Sequence, residues 1–253
     1  MVVRVIDDAN VRVVVLDRPE ARGAVDARHA RELHDAFEEL ELREDLHVGV
    51  LTGSGGHFCA GADLKAEGED QMQVFAPGAG PGPMGPTRLQ MSKPVIAAIE
   101  GHAVAGGLEL AVWCDLRVAS ETAVFGVFCR RWGLPLVDGG TVRLTRIVGH
   151  GRAMDMIVTG RGVDAHEAQA MGLASRVVAA GEARAAAEVW AREIAALPQA
   201  CLRQDRRSAI EQWDLPLVDA LANEWERGMQ SLSEGFQGVE RFREGRGRHG
   251  APE

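Results

Sequence analysis

Short β-branched apolar runs open the chain, and a helical period takes over further along. Residues 2–6 and 11–16 are β-branched runs split by Asp7-Asp8-Ala9-Asn10, which predicts a hairpin. Arg18-Pro-Glu-Ala-Arg-Gly23 breaks the pattern. Asp26 then stands where it would cap a helix carrying Ala30, Leu33, Phe37 and Leu40 on one face. Residues 47–52 and 94–99 read as buried strands, and 116–120 with 123–126 as another pair of short strands. From about residue 137 the pattern is helical, at 141–148, 153–158, 166–171, 182–196, 200–213 and 216–233, with one strand-like run at 175–178. Leu217, Ala220, Leu221 and Trp225 share a face of the last helix, a layer that with Trp213 suits core or subunit contact. The elements alternate in a β-β-α manner without a full-length repeat. An α/β body over residues 1–195 followed by a helical region over 196–253 is expected.

Residues 66–90 show no period. Ala-Pro-Gly-Ala-Gly-Pro-Gly-Pro at 76–83 holds too much Gly and Pro for a helix or an inner strand. It suits a plain surface loop or a lid over a substrate.

Composition narrows the function classes. Charged residues are 26% and hydrophobic residues 46%, as in an ordinary soluble globular protein. A net charge of −9 argues against a general nucleic-acid or membrane-surface binder. No apolar run approaches membrane-spanning length and no signal-like segment precedes the first strand, so a cytoplasmic protein is expected. Cys59, Cys114, Cys129 and Cys201 form no CxxC pair, and the histidines form no HxxxH or HExxH, so no metal is expected.

Two stretches carry candidate chemistry. In Gly101-His-Ala-Val-Ala-Gly-Gly-Leu-Glu-Leu110 a strand breaks at glycines and restarts as a helix. That leaves N–H groups unpaired at the helix start, with the Glu109 carboxylate in the first turn. An anion-stabilising amide beside a carboxylate base is what enolate chemistry needs, although close helix–strand packing accounts for the same glycines. His57-Phe-Cys-Ala-Gly-Ala-Asp-Leu-Lys65 is a second glycine bend after a strand, with Ala60 and Gly61 small enough to admit a ligand to the backbone. Two amides, one from each bend, can then converge on one oxygen. Gly53-Ser-Gly55 is no dinucleotide fingerprint, because Phe58 holds the third glycine position. Nor does a serine stand at a sharp elbow with histidine and aspartate partners.

These stretches resemble the crotonase, or enoyl-CoA hydratase/isomerase, superfamily. The resemblance rests on Asp17-Arg-Pro-Glu-Ala-Arg-Gly-Ala24, Phe58-Cys-Ala-Gly-Ala-Asp-Leu-Lys65 and Lys93-Pro-Val-Ile-Ala-Ala-Ile-Glu-Gly101. It continues in Gly106-Gly-Leu-Glu-Leu-Ala111, Cys114-Asp115, Gly139-Gly-Thr-Val-Arg-Leu144 and Gly172-Leu-Ala174. What it implies is a crotonase-like spiral of ββα units with an α-helical C-terminal trimerisation region, in a homotrimer or a dimer of trimers. The substrate would be an acyl-CoA, with coenzyme A part of the substrate and no metal or redox cofactor.

The resemblance also implies roles. The amides of Ala60 and Gly106 would form an oxyanion hole, and Glu109 would be the base acting on water. Coenzyme A would lie over Glu20, Ala21, Arg22 and Ala24 and near Gly61, Ala62, Asp63 and Leu64. Gly107 and Cys129 would complete the substrate-binding set. Arg22 and Lys65 would offset its phosphates. Arg241, Arg243, Arg246 and Arg248 form either a solvated tail or part of a neighbour's phosphate patch.

The family's second glutamate is missing. Its place is taken by Cys129, a sluggish proton donor or a small packing residue. Asp138 is the nearest substitute acid, one residue beyond Val137 where some relatives carry a catalytic aspartate; it also suits a helix cap. Arg130 and Arg131 would contact a polar acyl group or pair with surface carboxylates. The expected activity is that of an enoyl-CoA hydratase-like lyase. The alternatives are an enoyl-CoA isomerase or a non-catalytic acyl-CoA-binding homologue.

Overall fold

The computed structural model describes residues 2–245. The chain divides into two compact units, Met1–Ile194 and Ala195–Glu253.

In the first unit β1 (Val3–Asp8) and β2 (Val11–Leu16) form the expected hairpin, with Val5 opposite Val14. Asp26 caps α1 (Ala27–Leu42), its Oδ1 accepting the His29 N–H at 2.9 Å. The chain continues through β3 (Val48–Gly53), β4 (Val95–Ile99), β5 (His102–Val104), α2 (Gly106–Trp113), β6 (Leu116–Ser120) and β7 (Val124–Gly126). After these come α3 (Gly140–Val148), α4 (His150–Thr159), β8 (Gly162–Asp164), α5 (Ala165–Ala170), β9 (Arg176–Val178) and α6 (Ala183–Ala195).

One sheet has the order β1-β2-β3-β4-β6-β9, parallel from β2 onward. β2 and β4 are buried along their whole length, which accounts for uninterrupted apolar runs rather than alternation. The other sheet, β5-β7-β8, is small. The 116–120 and 123–126 runs are strands, yet they do not pair with each other: β6 joins the large sheet and β7 the small one. β5 is three residues long, two residues after β4 and one before α2, too short for a visible period.

α1 lays Leu33, Phe37 and Leu40, all fully buried, on the large sheet. Gly49 makes that approach possible, since a Cβ there would sit 2.7 Å from Leu40 Cδ2. Phe37 meets Trp113 of α2 edge to face, with ring centroids 4.9 Å apart.

In the second unit α7 (Gln199–Glu211) is followed by α8 (Leu217–Arg243). α8 runs ten residues past the predicted end, so Arg241 and Arg243 lie on its last turn. Arg246 and Arg248 lie outside the described residues.

Because Phe37 is fully enclosed, Phe37→Ala should cost about 3–5 kcal/mol of stability by urea denaturation. A loss below about 1 kcal/mol would contradict this packing.

Candidate active site

Two glycine bends follow the carboxyl ends of the neighbouring strands β3 and β4, the edge where parallel sheets place their ligands. Cys59 bridges Ala103, and its N–H donates to the His102 carbonyl at 2.8 Å, which lays the first bend along β5. Gly107 has to be glycine, because a Cβ there would strike the Cys59 carbonyl oxygen. Gly61, at φ +97°, packs against the same turn: a Cβ there would lie 2.9 Å from the Ala105 Cβ and 3.1 Å from the Gly106 nitrogen. Ala105, at φ 53°, turns the chain into α2 without a side-chain cap. The Gly106 N–H therefore has no acceptor among the described residues. The Ala60 N–H does have one, the Arg22 carbonyl at 3.0 Å, with Arg22 itself left-handed at φ 53°. One of the two expected amides is open, and the other is engaged within the protein.

Glu109, 3% exposed, faces the turn that starts α3. Its Oε1 accepts the N–H of Asp138 at 2.8 Å and of Gly140 at 2.9 Å. Burial pushes its carboxyl up to about 7; the Gly140 N–H opposes that, and the Asp138 carboxylate adds to it. Cys129 is buried in the same cavity, and burial followed by the Glu109 charge pushes its thiol up. The thiol thus stays protonated while Glu109 titrates.

Asp138 caps no helix, because the N-cap of α3 is Gly139. Its Oδ2 accepts the Met84 N–H at 3.2 Å and its Oδ1 the Thr87 hydroxyl. Burial pushes this carboxyl up also, against the Thr87 and Met84 donors. Arg130 donates to the Ile157 carbonyl and Arg131 lies over the Phe128 ring; neither lines the cavity nor pairs with a carboxylate among the described residues.

Two cavities meet here. The inner one, about 290 Å³, is lined by Ala60, Gly106, Glu109, Cys129 and Asp138 with Met84, Phe128, Trp132 and Leu134 among its apolar walls. The outer one, about 600 Å³, is lined by Glu20, Ala21, Ala24, Asp63 and Lys65. Ala62 and Leu64 line both. Arg22, Gly61 and Gly107 line neither, and act through the backbone. Asp63 is spent on the scaffold, with Oδ2 on Arg18 at 2.7 Å and Oδ1 on the Lys65 N–H at 2.9 Å. Arg18 also reaches Asp26, so Lys65 is the lining cation whose charge has no carboxylate partner among the described residues. Arg18, Met84, Thr87 and Arg143 escaped sequence reasoning. Only Arg18 offered a signal, as a charge beside two bends that each carry an aspartate.

A ββα spiral that brings an open helix-start amide and a buried carboxylate to one two-part cavity is the crotonase architecture. An enoyl-CoA hydratase structure from Mycobacterium tuberculosis superposes with a TM-score of 0.90 at 33% identity, covering 97% of this chain and 96% of that one. Carnitinyl-CoA dehydratase of Proteus mirabilis is 38% identical over 80% of this chain and 78% of its own length. Enoyl-CoA hydratase EchA19 of M. tuberculosis is also 38% identical, over 68% of this chain and 66% of its own length. The enoyl-CoA hydratase/isomerase family model matches residues 7–249. The chain belongs to that family and is an enzyme.

Glu109 sets a stability–pH relation. A folded pKa raised to about 7 from an ordinary 4.5 means that stability present below about pH 4.5 is lost as pH rises through 7. Glu109→Gln keeps an oxygen for both N–H donors and removes the charge. It should be more stable than the parent at pH 8, by on the order of 2 kcal/mol, with the gap closing at pH 4.5. Equal urea midpoints at pH 8 would contradict the burial of an ionised Glu109.

Proposed function

We propose that the protein is an enoyl-CoA hydratase-like lyase that adds water to a 2-enoyl-CoA, with Glu109 as its single proton carrier. The reading is carried by one buried carboxyl, titrating near neutrality, beside the open Gly106 amide in a largely apolar cavity. The thioester oxygen accepts the Gly106 N–H. The Ala60 N–H joins it as that group shares or leaves the Arg22 carbonyl. The Glu109 carboxylate takes a proton from water as the water oxygen bonds to C3. The π pair of the C2–C3 bond shifts into the enolate, whose oxygen the amides hold. C2 then takes the proton from the Glu109 carboxylic acid, giving the 3-hydroxyacyl thioester. A group whose pKa lies near the working pH performs both halves, since neither of its forms is far uphill. No step calls for a metal or a redox cofactor.

Coenzyme A lies in the outer cavity along Glu20, Ala21, Ala24, Ala62, Asp63 and Leu64, with Lys65 towards its phosphates. In α8 the side chains of Val218, Leu221, Trp225, Met229, Leu232, Phe236 and Val239 are exposed at helical spacing. That stripe supports a homotrimer or a dimer of trimers. No described helix is long and apolar enough to cross a membrane, in keeping with a cytoplasmic enzyme.

Double-bond isomerisation is the second reading, favoured by the same lone carboxyl, because one base can carry a proton from C2 to C4. The purified protein should remove the conjugated absorbance of a short 2-enoyl-CoA, and Glu109→Gln should lower that rate by about 10²–10⁴. Conversion of 3-enoyl-CoA to 2-enoyl-CoA without hydration would favour the isomerase. Acyl-CoA binding without turnover of either would contradict both readings.

A further inference from the structure

The Gly/Pro segment 66–90 is not uniform. Residues 67–71 and 73–79 are exposed, whereas Gly82–Thr87 are buried. Arg88 staples the exposed part, donating to the carbonyls of Ala76, Gly80 and Pro81 at 3.2–3.3 Å. The buried part is tied to the turn before α3. Besides the two bonds accepted by the Asp138 carboxylate, Arg143 donates to the Thr87 carbonyl at 2.7 Å and to the Asp138 carbonyl at 2.8 Å. Gly82 is pressed so close that any side chain would strike Thr87 Oγ1 and Asp138 Oδ1. The residue these ties hold in place is Met84, 2% exposed, whose Sδ lies 2.5 Å from where a Cβ on Gly106 would be.

We propose that Asp138 is a positioning residue, the latch that holds Met84 against Gly106 and so sets the room left for the acyl group beside the open amide. This rests on the acyl-CoA reading above. It reassigns Asp138 from the proton-donor role suggested by its place in the chain. Both its oxygens already accept donors from the 84–87 segment, and Glu109 is the carboxyl held by backbone amides alone. A carboxylate is suited to the task because one group satisfies two buried donors, and leaving either unpaired is expensive.

Three variants of the full-length protein test the latch. Thr87→Val is nearly isosteric and puts a methyl group where the hydroxyl was. Met84→Ala removes the thioether and leaves the latch. Asp138→Asn keeps an oxygen for the Met84 N–H and a donor for the Thr87 oxygen, but has no proton to give. Titration calorimetry with butyryl-CoA and octanoyl-CoA, both saturated, gives an affinity ratio that needs no turnover. Hydrogen exchange at the Met84 and Gly85 amides reports the latch itself.

Thr87→Val and Met84→Ala should each move the ratio towards octanoyl-CoA by about tenfold. Exchange should quicken in Thr87→Val. Asp138→Asn should move both readouts much less than Thr87→Val does. An unchanged ratio in Thr87→Val, or an Asp138→Asn shift as large as that of Thr87→Val, would overturn the latch while leaving hydration untouched. Failure to bind either thioester would overturn the acyl-CoA reading, and the amide exchange would still decide whether Asp138 and Thr87 hold Met84.

Discussion

The site depends on a buried carboxylate being held by backbone rather than by an opposite charge. A cation next to Glu109 would pull its pKa down and leave a poor base. Burial with no donors would push it so high that the anion were seldom present. Two N–H groups on Oε1, one of them at the start of α3, sit between these extremes and leave the carboxyl near neutrality. The position of α3, the turn from Asp138 to Gly140 and the placement of α2 all serve that one contact.

The second constraint is how closely the two glycine bends approach each other. Gly107 lies under the Cys59 carbonyl and Gly61 beside the Gly106 nitrogen, so the open amide is supplied by packing in which no side chain fits. Ala105, held at a positive φ of 53°, adds local strain at the same point, of order 1–3 kcal/mol. The sheet and α1, with Phe37 against Trp113, hold this arrangement from behind. Stability is concentrated there, and the site itself gives some of it up.

Part of this was legible in the sequence. Glycine next to glycine after a buried strand, with Glu109 one turn on, is a local pattern, and so is Asp26 before an amphipathic run. Asp26 caps its helix as read, and α2 starts at the glycine pair with Glu109 in its first turn, but β5 intervenes between β4 and that helix. Asp138 was visible as a polar residue near the pocket, but its partners are 51 and 54 residues away on a segment with no period. The Arg22 carbonyl on Ala60 is equally non-local, because it depends on how two bends stack. The end of α8 was misread for an energetic reason. Gly235 and Gly238 each cost about 1 kcal/mol in a helix, which argues for a stop, yet Phe236 and Val239 continue the apolar stripe past them.

The proposed hydration turns on Glu109 being the one group that takes and returns the proton. The most direct measurement is its titration, followed by the carboxyl carbon-13 signal with Glu109→Gln as the assignment control, set beside the pH dependence of kcat/KM for 2-enoyl-CoA hydration. The carboxyl should titrate near pH 7, and the rate should rise through the same pH with a single acid-side ionisation. A Glu109 that stays ionised down to about pH 4.5, or a rate governed by two ionisations on that side, would contradict it.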